Sequence, residues 1–294
     1  MLFEAALEDW LDVATAGRKP GYAADMRERL AFNTAALVGR PLHTITRKDV
    51  IAVIEAIAAR GSHEQARRVR ALLARFFEWA AIGELITDNP APRALLQRLP
   101  AKPPVTHHAA AAFGEMPAVY RRIAAYPSPV TSAALRFLIL TAARTSEVLG
   151  AEWDEVNLGA AVWTVPAERM KAGRPHRVPL SSQAVALLRG VPRLSDRLLF
   201  PTLRRDRPMS GNALGYALKG MGFEFTVHGF RSTFSTWAND TRAADPDIVE
   251  AALAHIVPGV RGAYDRGDRF DARRALMQTW SDALTSPSNP TPAT

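Results

Sequence analysis

Residues 99–110, LPAKPPVTHHAA, hold three prolines and no apolar periodicity, and they divide the chain into two stretches built on different patterns. Proline-rich segments of this kind stiffen a connection without offering a face to bury. The break predicts a first domain over residues 1–98, a linker over 99–110 and a second domain over 111–285. The closing SPSNPTPAT, residues 286–294, reads as a disordered tail. With 294 residues, 48% of them hydrophobic, the chain can fill two compact cores.

The first stretch is helical. Leu2, Ala6, Leu7, Trp10 and Leu11 recur at helical spacing between Leu2 and Val13, and the GRKPG segment at 17–21 breaks the pattern. A second helix is predicted around Ala23 to Leu37. In ITRKDVIAVIEAIAAR, Thr46 reads as an N-cap with Asp49 in the first turn, and Gly61 ends the run. SHEQARRVRALLARFFEWAAIGEL then places Val69, Leu72, Leu73, Phe76, Phe77 and Ala80 on one face, leaving Arg67, Arg68 and Arg75 largely off it. Asp88-Asn89-Pro90 and Pro92 stop the helical pattern.

The second stretch is mixed. Ala133 to Thr141 is an apolar helix. Val162 to Val165 alternates as a strand, Arg177 to Leu180 is a second, and Gly173 and Pro175 between them predict a hairpin. Pro179 argues for an edge position. Further helices are predicted at Ala184 to Leu188, Ala213 to Leu218, Phe230 to Asn239, Ile248 to Ala254 and Arg269 to Leu284. The fold class is thus mainly α: a helical domain followed by a mostly helical one with a small antiparallel sheet.

Lys plus Arg number 37 against 29 acidic residues, a net +8, which suits a polyanionic partner such as nucleic acid. Much of the excess is Arg, which can grip phosphate oxygens in pairs. The absence of cysteine excludes disulfides, thiolate zinc sites and cysteine nucleophiles, and fits a reducing cytoplasm. The N-terminus MLFEAALEDWLDV lacks the basic start and apolar core of a secretory signal. The most apolar run, Ala133 to Leu140, is too short to span a bilayer, so no membrane association is expected.

Metal-free phosphoryl transfer to DNA needs a nucleophile, fixed cationic donors for the transition-state oxygens and an acid for the leaving oxygen. The second stretch holds residues of each kind. TVHGFRSTFSTWA places His228 and Arg231 three apart at the mouth of a helix, where backbone N–H groups favour an anion. In LAHIVPGVRGAYDR, His255 precedes Tyr264 by nine residues, with Gly259 and Gly262 between them. Arg144 follows the apolar helix directly, with Glu147 as an orienting partner. Lys171 occupies the hairpin turn and can donate a proton, as Arg cannot readily do. Taken singly, each reads more readily as a packing residue, a surface pair or a solvated turn than as a catalytic group.

Taken together and in this order, Arg144, Lys171, His228, Arg231, His255 and Tyr264 resemble the catalytic set of the tyrosine recombinase (phage integrase) family. TAARTSEVLGAEWDEVNL, VWTVPAERMKAGRPHRVPLS and VHGFRSTFSTWA look like segments of prophage integrases of the satellite-phage type. The resemblance covers roughly residues 110–285 strongly and the first hundred, like the family's helical core-binding domain, more diffusely. It implies that Tyr264 attacks the scissile phosphate to form a 3′-phosphotyrosine and release a 5′ hydroxyl. Arg144 and Arg231 would clamp the nonbridging oxygens, His228 and His255 would donate hydrogen bonds and assist proton transfer, and Lys171 would protonate the leaving oxygen. No metal or other cofactor is implied. The implied partners are double-stranded DNA at attachment-type sites and further copies of the chain in a homotetramer, in the bacterial cytoplasm at the nucleoid; whether an accessory DNA-bending protein takes part stays open.

Arg67, Arg68 and Arg70 are the candidate phosphate contacts of the first domain. Leu276, Met277, Trp280 and Leu284 on the last helix would pack on their own domain or dock on a neighbouring protomer. Ala254 stands where the wider family often has Gly. Relatives of this type carry an additional N-terminal domain for arm-type DNA sites that is not in this sequence, so the expectation is a simpler recombinase or a prophage remnant. The rival readings are a catalytically idle DNA-binding protein or regulator, and a metal-dependent nuclease using Asp245, Asp247 and Glu250. Those three look more like an acidic helix start. No His or Glu arrangement has zinc-ligand spacing.

Overall fold

The structure, a computed structural model, describes residues 1–18, 20–99, 109–170, 172–202, 206–255 and 268–286. It divides into two compact units, Met1–Thr106 and His107–Thr294.

The first unit is helical. In α1 (Phe3–Thr15) the residues Phe3, Ala6, Leu7, Trp10 and Leu11 are all buried, as their spacing requires. The helix α2 (Pro20–Asn33) begins earlier than its apolar pattern, because Pro is favoured at a first helical position. It also ends earlier: the Asn33 side chain donates to Arg29 O and the Thr34 hydroxyl to Leu30 O, and Ala35–Leu37 form a separate 3-10 turn. At the start of α3 (Arg47–Ala59), the Asp49 backbone N–H donates to the Thr46 hydroxyl, and the Asp49 carboxylate accepts from the Thr46 backbone N–H at 2.8 Å. Arg40 binds the same carboxylate and holds it well below the usual range. The long α4 (His63–Ile82) buries Val69, Leu73, Phe76, Phe77 and Ala80, while Leu72 is half-buried. It closes before Leu85 because Glu84 turns left-handed and Leu85 N–H reaches back to Ala80 O. Phe3 and Trp10 meet Phe76 edge-on at 5.5 and 5.8 Å and tie α1 to α4.

The second unit is organised around α6 (Pro129–Thr141), which is buried almost all round. Before it lies α5 (Met116–Ala124); after it come α7 (Thr145–Leu149), β1 (Val156–Asn157), β2 (Val162–Val165) and β3 (His176–Pro179). The strands form an antiparallel sheet of order β1-β2-β3, with Trp163 opposite Val156 on one side and Val178 on the other. Pro179, which has no N–H to donate, sits in the outer strand β3. The remaining described helices are α8 (Ser182–Gly190), α9 (Ala213–Gly220), α10 (Gly229–Asp240), α11 (Pro246–Ala252) and α12 (Phe270–Thr285). Among the described residues no helix is long and apolar enough to cross a membrane.

The last helix packs on its own unit. Leu276, Met277, Trp280 and Leu284 are all buried in this core, and the Trp280 indole donates to Ile139 O of α6 at 2.8 Å. Of the two destinations open to those residues in the sequence, this structure has them at home.

Candidate active site

The buried end of α6 is where the site begins. Ala142 caps that helix in a left-handed conformation (φ 48°), and Arg144 then opens α7. The Glu147 carboxylate accepts from both the Arg144 backbone N–H (2.9 Å) and its Nη1 (2.8 Å). Glu147 is buried, so its charge needs this partner. Arg144 Nη2 reaches across 110 residues of sequence to Ala254 O at 3.2 Å, and lies 3.5 Å from Leu253 O.

Arg231 comes to the same place from α10. It is only 5% exposed. Its Nη1 donates to Ala142 O, and its Nη2 donates to Leu253 O at 2.7 Å and lies 3.3 Å from His255 Nε2. Burial, and secondarily the charge of Arg144, bring its pKa down to about 10, so it stays charged at neutral pH. Helix α10 can start here because Gly229 follows His228: a Cβ at 229 would run into the backbone of Ala109 and Ala110. His228 is exposed at the N-cap of α10, whereas Arg231, one turn on, is buried.

Both arginines thus hold the end of α11. That end is a left-handed closure: Ala254 has φ 49°, and the His255 N–H returns to Glu250 O at 3.0 Å. The His255 side chain follows its backbone, with Nδ1 2.8 Å from Glu250 Oε2. Glu250 is therefore in the last turn of α11, not at an acidic helix start. Asp245 is the N-cap of that helix, and Asp247 lies 3.6 Å from Arg269. Glu250 and Asp247 face different partners, and among the described residues no group of three or more His, Cys, Asp or Glu could hold a metal ion.

Three further residues surround the site and were not singled out by spacing. His176 on β3 is half-buried, and burial together with the charge of Arg273 depresses its pKa to about 4. Arg169 joins Glu147 O (3.2 Å) to the Glu155 carboxylate (2.7 Å), which also accepts from the Trp163 indole (2.9 Å). Gly150 leaves room for that guanidinium, which a Cβ would strike. Arg273, 1% exposed, donates to Arg177 O and Asp268 O at 2.6 Å each, fastening the start of α12 to β3.

Arg144, Arg231 and His255 are therefore brought together, and His228 stands at the mouth of α10. Lys171, Gly259, Gly262 and Tyr264 lie outside the described residues, as do most of the linker, 100–108, and the tail from 287. In the first unit Arg68 is exposed and 3.3 Å from Glu64, and Arg67 is half-buried. Arg70 is half-buried; its Nε makes no hydrogen bond among the described residues, and burial and the nearby charge of Arg93 lower its pKa. Arg93 was missed because its neighbour is 23 positions away in sequence.

The phage integrase central domain model matches residues 3–95, and the phage integrase family model matches residues 116–264. Prophage integrase IntZ of Escherichia coli (strain K12) is 38% identical over 97% of this chain and 71% of its own length. The integrase of Enterobacteria phage P4 is 31% identical over 80% of this chain and 58% of its own length. Among solved structures, a lambda integrase(75–356) dimer bound to a COC′ core site superposes with a TM-score of 0.68 at 19% identity, covering 87% of this chain and 96% of that one. The Tn1549 transposon integrase (residues 82–397) in complex with circular intermediate DNA gives 0.65 at 17%, covering 94% and 99%. With its mostly helical fold and small antiparallel sheet, this chain belongs to the phage integrase family of tyrosine-type site-specific recombinases.

Proposed function

We propose that this recombinase cleaves and rejoins double-stranded DNA at attachment-type sites through a 3′-phosphotyrosine on Tyr264. The observation that carries the reading is the convergence of Arg144, Arg231 and His255 from three separate elements on the end of α11. Two guanidinium groups held a few ångströms apart in a partly water-excluded site are suited to the equatorial oxygens of a phosphoryl transition state. His228 adds a donor beside the N-terminus of α10, which favours an anion. Lys171 protonates the leaving 5′ oxygen. A tyrosine phenol ordinarily titrates near 10, so as nucleophile Tyr264 would need a proton acceptor or a strongly cationic site, and the arginine pair is a candidate for the latter.

The first unit acts as the core-type DNA-binding domain over residues 1–98, joined by the 99–110 linker to a catalytic domain over 111–285. Arg70 with Arg93 is its best phosphate contact, since two like charges side by side are relieved by an anion. The net charge of +8 favours the same partner. DNA is the ligand in the lambda and Tn1549 integrase structures, one of them a lambda integrase tetramer bound to a Holliday junction. We read this chain as working in the same homotetrameric arrangement, with an accessory DNA-bending protein, at the nucleoid in the cytoplasm.

The test is covalent trapping. Wild type and Tyr264→Phe are incubated, in excess chelator, with nicked suicide substrates carrying the attachment-site junctions of the encoding genomic island. A protein–DNA band that survives denaturant is expected in wild type alone. A band with Tyr264→Phe would remove Tyr264 as nucleophile. Tight binding to a cognate site without any band would favour an idle, DNA-binding remnant.

A further inference from the structure

The helix α7 has five residues, too few to stand on its own hydrogen bonds. Its start is held by the Glu147 carboxylate, which accepts from the Arg144 backbone N–H. Its end is held differently. Gly150 N–H turns back to Ser146 O and Ala151 N–H to Val148 O, and no main-chain N–H among the described residues reaches Glu147 O. The donor comes from 22 residues further along the chain: Arg169 Nη1 donates to Glu147 O at 3.2 Å. Arg169 Nη2 donates to Glu155 Oε2 at 2.7 Å. That oxygen is itself fixed, because it also accepts from the Trp163 indole at 2.9 Å and from the Glu152 backbone N–H at 3.2 Å. Trp163 belongs to β2 and is fully buried. A planar guanidinium spans two such acceptors in fixed directions, which an ammonium does not.

The surroundings of Arg169 are shaped to this pose. Its Nε is buried without a hydrogen-bond partner among the described residues, a cost that the two Nη contacts offset. Gly150 makes the space, since a Cβ there would collide with Arg169 Nη1. Gly150 has φ −98°, which any residue adopts, so the glycine answers to the guanidinium and not to the backbone. Residue 147 is thus held by its carbonyl, while its carboxylate holds Arg144 through Nη1 at 2.8 Å. From the site to the sheet, the side chains of Arg144, Glu147, Arg169 and Glu155 alternate in sign. We propose that Arg169 is a positioning residue for Arg144: by fixing Glu147 O it fixes the carboxylate that aims the Arg144 guanidinium. The assignment rests on Arg144 being a donor to the scissile phosphate. A shift of the Glu147 backbone carries its carboxylate and the Arg144 guanidinium with it, and misplacing a reacting or stabilising group by about 1 Å can cost on the order of 100-fold in rate.

The experiment is single-turnover strand cleavage of a nicked attachment-site substrate, with DNA affinity and the thermal midpoint measured in parallel. Wild type, Gly150→Ala, Arg169→Lys and Arg169→Ala are compared, each with Arg144 intact and with Arg144→Ala. Gly150→Ala displaces the Arg169 guanidinium while leaving its charge in place. It is expected to slow cleavage by about 10–100-fold with Arg144 intact, at unchanged DNA affinity. In the Arg144→Ala background, itself slower by about 10²–10³-fold, the same substitution is expected to cost nothing further. Arg169→Lys keeps the charge without the fork and is expected to fall between wild type and Arg169→Ala. A residue that only supported the fold would slow both backgrounds by the same factor, and that result would overturn the proposal. Wild-type rates in Gly150→Ala and Arg169→Ala would overturn it too. Should Arg169→Ala fold poorly, Gly150→Ala decides alone. Should Arg144→Ala leave no measurable cleavage, the comparison moves to DNA with an uncharged methylphosphonate at the scissile position, where Arg144 has no anionic charge to offset. There Gly150→Ala is expected to match wild type, and a loss as large as on phosphate DNA would overturn the proposal. Wild-type cleavage by Arg144→Ala would instead bring down the reading of Arg144 and the proposal with it, a result distinct from an impaired Arg144→Ala slowed further by Gly150→Ala.

Discussion

His176 shows how a cluster of guanidinium groups treats a neighbouring titratable group. Its imidazole is desolvated and sits within reach of Arg273, Arg144 and Arg231, and its pKa falls to about 4 from an ordinary 6.5. As pH drops, the unfolded chain therefore takes up a proton on this residue before the folded one does. The stability conferred by the neutral ring is complete above about pH 6.5 and is lost progressively as pH falls towards 4. The difference is on the order of 3 kcal/mol at most. Chemical denaturation at pH 7 and pH 4.5 should show that loss in the second unit, and His176→Gln should flatten it. At this scale the sequence was legible where residue type decides chemistry: Arg144, Arg231 and His255 could be proposed from identity and order. Glu250 could not, because its pairing with His255 arises from how a helix ends. A Glu five residues before a His at a helix terminus is the signal that would have found it.

Elements were legible in proportion to how strongly local chemistry defines them. Thr46 and Asp49 announce the start of α3, and the alternation of Val162 to Val165 announces β2. The strand β1 has two residues and pairs through Val156 and Asn157 alone, too short for any period to register. The five-residue α7 depends on the Glu147 carboxylate at its first turn and escaped notice as a helix, though its Arg144 did not. At α11 the departure from the common family residue gains a physical meaning. Ala254 occupies a left-handed position (φ 49°) that a side chain disfavours and Gly does not. Ala254→Gly is therefore expected to stabilise the second unit by about 1 kcal/mol, readable as a higher denaturation midpoint at unchanged m-value. A drop in that midpoint would mean that another contact of Ala254 outweighs the backbone preference.

For the molecule as a whole, the setting of a charge matters more than the count. Arg68 is exposed and already opposite Glu64, whereas Arg70 is half-buried beside Arg93. If Arg70 neutralises a phosphate, Arg70→Ala should weaken DNA binding uniformly across sequences. It should also reduce the slope of log K against log salt by about 1. Arg68→Ala should change that slope less, and equal slopes for all three proteins would remove Arg70 from the DNA surface. The arginines of the second unit carry a different consequence. Arg231 is the main-chain mortar between the ends of α6 and α11 as well as a cation, so replacing it with a small residue leaves Ala142 O and Leu253 O short of a donor. A protein silenced at Arg231 would confound lost chemistry with lost architecture. If Tyr264 is the nucleophile, the more faithful inert control, for footprinting or for holding an assembled complex still, is the one that deletes a single oxygen atom there.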